Sequence, residues 1–201
     1  MKLYKVLDGN KPCNGGNGEY SLPTKRKDGT WKPGGWMPEI AGKLDPCNNG
    51  YHLCDADHLI DWLGPDIYEA EYRGDCIDAD NKVVVRQVRL ISKVETWNDK
   101  SARLFACWCV RQVWHLLTDE RSKNSVVVSE RFSADEATET DLEAAQAAAS
   151  AAAWGAASAA ASAAAWDTAS AAARGAASAA AWDAARGAQS RHLIEVLCLS
   201  E

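Results

Sequence analysis

Several things are scarce in this sequence, and each absence narrows what the chain can be. Basic charge is not in excess: 22 Lys and Arg stand against 28 Asp and Glu, a formal net charge of −6. That removes the electrostatic case for a nucleic-acid partner, which needs a clustered basic surface. No apolar run approaches the ~18 residues of a membrane-spanning helix, so no membrane partner is expected. The opening residues, Met-Lys-Leu-Tyr-Lys-Val-Leu-Asp, mix charge with apolar residues and show no cleavage site. They read as a strand rather than a signal peptide. The seven cysteines are odd in number and lack the regular spacing of a secreted disulfide framework, so free thiols in a reducing cytoplasm are expected. There is no Ser/His/Asp set, phosphate-binding loop or HExxH pair, and no cofactor is expected.

What is present divides at about residue 98. Before it, Leu3 to Leu7 reads as a short strand closed by Asp8-Gly9-Asn10. A segment dense in Gly and Pro follows, from Pro12 to Pro38, which excludes a long regular element and implies an irregular loop with tight turns. Trp31 and Trp36 lie within it and are expected to anchor it. Asn49-Gly50 suits a tight turn before a short strand at Tyr51 to Cys54. Asp55 is placed to cap a helix carrying His58 to Leu63, ended by Gly64-Pro65. Ile67 to Gly74 alternates with period two, as a strand with one buried face does, and Cys76-Ile77 extends that edge. Lys82 to Val94 is the strongest strand signal in the chain, long enough for one strand or two.

Cys13, Cys47, His52, Cys54 and His58 raise the question of a metal. Zinc sites usually offer two pairs of ligands, each two to four residues apart. A zinc site is geometrically possible from Cys47, Cys54 and one histidine, with His52 on the same strand face as Cys54, but no second pair completes it, so packing residues are expected and no metal site.

This half resembles a domain of unassigned activity found in proteins of bacteria and their phages. The resemblance rests on Tyr4-Lys5-Val6-Leu7-Asp8 and Pro46-Cys47-x-x-Gly50-Tyr51-His52-Leu53-Cys54. It continues through Trp62-Leu63-Gly64-Pro65, Tyr68 to Gly74 and Asp80-x-Lys82-Val83-Val84. A fainter likeness is to ADP-ribosyltransferase-like domains, with Lys5 where that pattern carries Arg. The likeness implies a pocket or interface lined by Lys5, Tyr51, His52, Tyr68 and Glu71, with Trp31 and Trp36 in the adjoining loop. It assigns no catalytic glutamate: Glu69 and Glu71 read equally as the outward face of a strand.

After residue 98, Asn98-Asp99 offers a cap for a helix to Leu117, whose apolar residues span about 200° of arc. Such a helix is expected to be buried on more than one side. Ser125 to Phe132 reads as a further helix by its position between helices. Ser133-Ala134-Asp135-Glu136 and Thr140-Asp141-Leu142-Glu143 look like helix starts with acidic first turns.

From Gln146 to Ser190 every fourth residue is large or polar and nearly all the rest are alanine. Alanine has the highest intrinsic helix propensity. Four residues advance a helix by about 400°, so each marker sits about 40° beyond the last. Trp154, Trp166 and Trp182 would therefore face different directions on one straight helix, and no coiled-coil period fits. The expectation is a set of helices of about 10–16 residues, breaking near Gly155, Asp167-Thr168, Gly175 and Gly187. The tryptophans would act as wedges, and the marker serines would face solvent or bond back to the carbonyl four residues earlier. The bulky Leu193 to Leu199 would return to the middle helix and cap the array.

With Ala102 to Cys109, Glu136-Ala137-Thr138 and Leu193-Ile194-Glu195, this half resembles Ala-rich immunity proteins of bacterial polymorphic toxin systems. That likeness implies a neutralising protein without chemistry of its own.

The fold class expected is α+β: a small mixed or antiparallel sheet domain over 1–98 with the Gly/Pro-rich loop, then a compact all-α array of short Ala-rich helices over 99–201. The function expected is non-catalytic binding of another protein, a toxin or a host factor, by an immunity-like or phage-encoded host-modulating protein. The second class is an ADP-ribosyltransferase-like or nucleotide-binding domain with a helical appendage. Nothing in the sequence sets an oligomeric state.

Overall fold

Antiparallel pairing of apolar-rich strands builds the first part of the chain. In the computed structural model, residues 2–164 and 171–199 are described, with side chains outside 116 and 152–183. The strands are β1 (Leu3–Asp8), β2 (Lys11–Pro12), β3 (Thr24–Lys25), β4 (Trp31–Lys32), β5 (Tyr51–Leu53), β6 (Asp66–Ala79) and β7 (Lys82–Lys93). The helices are α1 (Asp99–Gln112), α2 (Glu120–Ser133), α3 (Glu139–Ala164) and α4 (Ala171–Leu197). The α+β class holds. No helix among the described residues is long and apolar enough to cross a membrane.

The chain forms two compact units: Met1–Asn98 with Ala188–Glu201, and Asp99–Gly187. In the first unit, a five-stranded antiparallel sheet runs in the order β2-β1-β6-β7-β5. β6 and β7 form a long hairpin, Ala79 facing Lys82, with register shifts at Glu69/Ala70 and Arg73/Cys76. The 82–94 signal is thus one strand. Beyond β5, Cys54 pairs with Tyr4 of β1: the Tyr4 amide donates to the Cys54 carbonyl at 2.7 Å, and the reverse bond is 3.0 Å. The sheet therefore curls until its edges meet, which leaves few backbone groups unpaired.

Its inner face holds Leu3, Leu7, Leu53, Tyr68, Ala70, Val83, Val85, Val88 and Leu90, closed over by Tyr20 and Met37. The Gly/Pro-rich loop is irregular but tightly tied. The amides of Gly34, Met37 and Ile40 donate to Leu90, Val88 and Arg86 carbonyls at 2.9, 2.9 and 3.0 Å, covering the part of β7 that β5 does not reach. Proline and glycine exclude a regular strand there, yet the β7 edge still gains partners. Trp36 is half-buried under the guanidinium groups of Arg73 and Arg89, 4.4 and 4.7 Å from its ring centre.

The helix expected after Asp55 is one 3-10 turn, Leu59–Asp61, although Asp55 does accept from the His58 amide at 3.0 Å. Gly64-Pro65 follows too soon for a longer helix to repay its nucleation.

In the second unit, α1 ends at Gln112 and a 3-10 turn covers Trp114–Leu116. As expected, α1 is buried on more than one side: Phe105 and Cys107, both buried, point about 200° apart on the helix, although Leu104 and, beyond the helix, Val113 are 41% and 42% exposed. α2 packs on α3 through Val128, Leu142, Ala145 and Phe132, and Arg111 of α1 grips Glu130 of α2 through two bonds of 2.9 and 2.6 Å. α2 begins earlier than expected, capped by Asp119, which accepts from the Arg121 amide at 2.8 Å. The cap of α3 is Thr138 rather than Thr140: Thr138 and Asp141 bond each other's amides at 3.2 and 2.9 Å.

The expected short Ala-rich helices are also corrected. α3 runs 26 residues through Gly155, and α4 runs 27 through Gly175 and Gly187, each about 40 Å at 1.5 Å per residue. A glycine costs about 1 kcal/mol in a helix interior, too little to break a run whose neighbours are the best helix formers. The break at Asp167-Thr168 lies outside the described residues, as do the side chains of Trp154, Trp166 and Trp182.

The end of α4 does not return to the middle helix. Residues from Ala188 onward belong to the first unit. Leu193 and Leu197 are 0% and 2% exposed, the Ser190 hydroxyl donates to the Asp57 carbonyl at 2.7 Å, and the Thr96 hydroxyl donates to the Leu197 carbonyl at 2.8 Å. Ser190 is thus a buried cross-link, where solvent or a bond four residues back was expected.

Candidate functional site

One cavity of the first unit, about 480 Å³, gathers residues from β1, the Pro12–Gly18 loop, the Cys47–Gly50 turn and β5. It is within the range of small-ligand sites. Lys5 sits at its base. Strand alternation puts Lys5 on the same face as Leu3 and Leu7, so its side chain turns inward and is only 9% exposed. Its ammonium donates to the His52 carbonyl at 3.0 Å and lies 5.3 Å from the centre of the Tyr20 ring. No carboxylate pairs with it among the described residues. Burial pulls its pKa down to about 8, and only the Cys54 and Cys13 thiols act in the other direction.

Tyr4, Tyr20, Tyr51 and Trp62 supply aromatic side chains to its lining. Tyr20 and Tyr51 meet edge to face, with ring centres 6.1 Å apart, and the Tyr51 hydroxyl donates to the Pro38 carbonyl at 2.9 Å. Burial raises the pKa of both phenols. His52 accepts from the Cys47 amide through Nε2 at 3.1 Å, which leaves the proton on Nδ1 in the neutral ring. Burial, together with Lys5 and Lys82, depresses its pKa, so His52 is neutral at pH 7. Cys47 is held at φ 71°, and its sulfur accepts from Lys82 at 2.9 Å. Lys82 in turn lies 5.4 Å from the centre of the Trp62 ring.

The remaining wall is Asn14-Gly15-Gly16-Asn17-Gly18. Gly15 and Gly16 have φ of 89° and 95°, which a side chain would strain. The Asn14 amide group donates to the Trp62 carbonyl at 2.9 Å and fixes the loop to the far wall. Among the described residues, the amides of Gly15, Gly16, Asn17 and Gly18 bond no other protein group, so they are available to a ligand.

Of the residues singled out in the sequence, Lys5, Tyr51 and His52 meet in this cavity. The other four do not line it. Tyr68 is buried in the sheet core opposite Lys5. Glu71 is ion-paired with Arg89, Trp36 lies under Arg73 and Arg89, and Trp31 lies 5.9 Å from the Lys25 ammonium. Glu69 is half-buried on β6. The weak metal candidates Cys47, His52 and Cys54 all line this cavity but do not form a ligand set. Cys47 and His52 meet through a backbone amide, and the buried Cys54 thiol lies 3.9 Å from the Tyr4 carbonyl with its pKa pushed up to about 12. Among the described residues no group of three or more His, Cys, Asp or Glu could hold a metal ion. His58 pairs with Asp55 at 2.7 Å.

Tyr20, Trp62, Lys82 and the 14–18 loop were missed in the sequence. A charged Lys5 between the inward Leu3 and Leu7 was the available clue, since an inward lysine implies a cavity or a counter-ion. Compared with protein-family models, curated proteins and solved structures, the chain matches none.

Proposed function

We propose that this chain is a non-catalytic binding protein whose first unit takes a small organic anion of the mononucleotide class. One observation carries the reading: the cavity is lined by two lysines, Lys5 and Lys82, and by no carboxylate, in a chain where Asp and Glu outnumber Lys and Arg by 28 to 22. A unit negative charge 4 Å from Lys5 gains about 4 kcal/mol at an effective dielectric constant near 20. Unbonded loop amides suit phosphate oxygens, and the rings of Tyr20, Tyr51 and Trp62 suit a planar base. This is the nucleotide-binding alternative without its transferase chemistry, because Glu71 is engaged with Arg89 away from the cavity.

Thermal unfolding with AMP, NAD and uncharged adenosine tests it. A ligand at 100 times its Kd stabilises by about 2.7 kcal/mol, so the phosphorylated compounds should raise the transition and adenosine should raise it far less. No shift with any phosphorylated compound at millimolar concentration refutes the reading.

Binding to another protein is a second reading, of the immunity-like or phage-encoded host-modulating kind, with a toxin or a host factor as partner. It is supported by the exposed Leu104, Val113 and Val127 of the helical unit, apolar side chains that water solvates poorly. A pull-down from the native host that recovers no protein above background removes it. A cytoplasmic location accompanies both readings, supported by the free thiols of Cys13, Cys47, Cys54, Cys76, Cys107 and Cys198.

A further inference from the structure

We infer that Lys5 captures carbonyl compounds: its amine forms a reversible imine with an anionic aldehyde or ketone seated in the cavity. The inference rests on the anion pocket proposed above and adds a covalent role to it.

The geometry of Lys5 sets it apart from the other lysines whose contacts are defined. Lys25, Lys93 and Lys123 each pair with a carboxylate, from Glu95, Asp66 and Glu120. Lys11 pairs with Glu19, and Lys82 reaches the Cys47 sulfur. Lys5 alone is buried, faces a cavity, and is met only by a carbonyl oxygen and an aromatic ring. A carbonyl and a ring face weakly stabilise an ammonium, and the cavity that Lys5 lines leaves room for a ligand beside it. Lys82, also on the wall, is placed to balance the negative charge of the same ligand.

Burial also shifts the protonation balance. With a pKa of about 8, roughly a quarter of Lys5 is neutral at pH 7.5, against about one in a thousand for a solvated lysine near 10.5. In the step itself the amine lone pair forms a bond to the carbonyl carbon, and the carbonyl π pair moves to oxygen, which takes a proton. The nitrogen releases one proton to solvent, the hydroxyl takes up a second proton and leaves as water as the C=N bond forms, and the resulting iminium gives its remaining N–H proton to solvent. Amine and carbonyl give imine and water, with no net oxidation. Protons exchange with solvent past the exposed Gly15, Gly16 and Asn17.

The test uses the full chain with pyridoxal 5′-phosphate as probe, then cyanoborohydride to reduce any imine, and peptide mapping by mass spectrometry. The expected result is an adduct on Lys5 forming about tenfold or more faster than on exposed lysines such as Lys43, slowed by pyridoxine 5′-phosphate, which has the phosphate but no aldehyde. Lys5→Arg should abolish the fast phase. If the label spreads over exposed lysines without preference for Lys5, while pyridoxine 5′-phosphate still raises the thermal transition of the wild-type chain, the imine is overturned and the anion pocket stands. If pyridoxine 5′-phosphate does not bind either, both readings fall.

Discussion

Replacing Lys5 with methionine, which keeps the length of the side chain and removes its charge, should stabilise the ligand-free protein at neutral pH. The folded state lowers the Lys5 pKa from 10.5 to about 8, and at 1.36 kcal/mol per unit this is a penalty of about 3 kcal/mol for holding the ammonium in the cavity. Against it stands the bond to the His52 carbonyl, worth about 1.5–3 kcal/mol for a charged donor. The net gain expected for Lys5→Met at pH 7 is about 1 kcal/mol. The pH dependence is the sharper test. Between pH 8 and 10.5 the unfolded lysine keeps its proton while the folded one loses it, so wild-type stability gains with rising pH. The penalty is complete below pH 8 and gone above 10.5, so the advantage of the variant should fall by about 3 kcal/mol across that window. Cys54, Cys13, Tyr20 and Tyr51 also titrate at alkaline pH, with pKa values raised by burial. Taking the difference between variant and wild type at each pH removes their common contribution. Urea denaturation followed by tryptophan fluorescence, at pH 7 and pH 10 in buffers without polyvalent anions, provides both numbers. A difference that does not change with pH refutes the claim that Lys5 is a desolvated, uncompensated ammonium.

Two further outcomes follow from packing. Leu193→Ala, at a fully buried position near the end of α4, should cost about 2–5 kcal/mol in the same denaturation assay, and a loss under 1 kcal/mol would mean that the helix end is not docked. Gly34→Ala would place a Cβ 1.9 Å from the Ser21 carbonyl oxygen and should lower stability by at least about 3 kcal/mol, because backbone, not a flexible side chain, must move; an unchanged midpoint would refute that packing.

The strands were legible because their patterns were strong. β6 and β7 carry period-two alternation and a dense Val/Ile content, and β1 is a compact apolar run. The pocket was half legible. Lys5, Tyr51 and His52 lie on strands and were named, whereas Tyr20 and the 14–18 loop reach it through tertiary pairing, such as the Tyr20 amide bonded to the Asn10 carbonyl at 2.8 Å. Tyr68 and Glu71 were named for the same reason and lie elsewhere, since strand membership does not say which side of a curled sheet holds the cavity; Trp31 and Trp36 were named as anchors of the Gly/Pro-rich loop and also lie outside the cavity. In α3 and α4 the magnitude decides: one glycine among alanines costs about 1 kcal/mol and does not end a helix, so Gly155, Gly175 and Gly187 lie inside long helices. In α1 the wide apolar arc does signal burial on opposite sides, at Phe105 and Cys107, but such an arc measures capacity for burial, and Leu104 stays exposed.

The return of Ala188–Glu201 to the first unit has a consequence for the order of synthesis. The five-stranded sheet emerges early, but Leu193 and Leu197 are translated roughly 100 residues after Trp97. At about 5–20 residues per second, the nascent sheet unit waits about 5–20 s on the ribosome with the apolar sites of those two leucines unfilled. During that interval it depends on whatever shields hydrophobic surface at the exit tunnel. Folding of this unit is therefore completed by its most distant segment, and truncating the chain before residue 190 would leave the sheet permanently in that nascent condition.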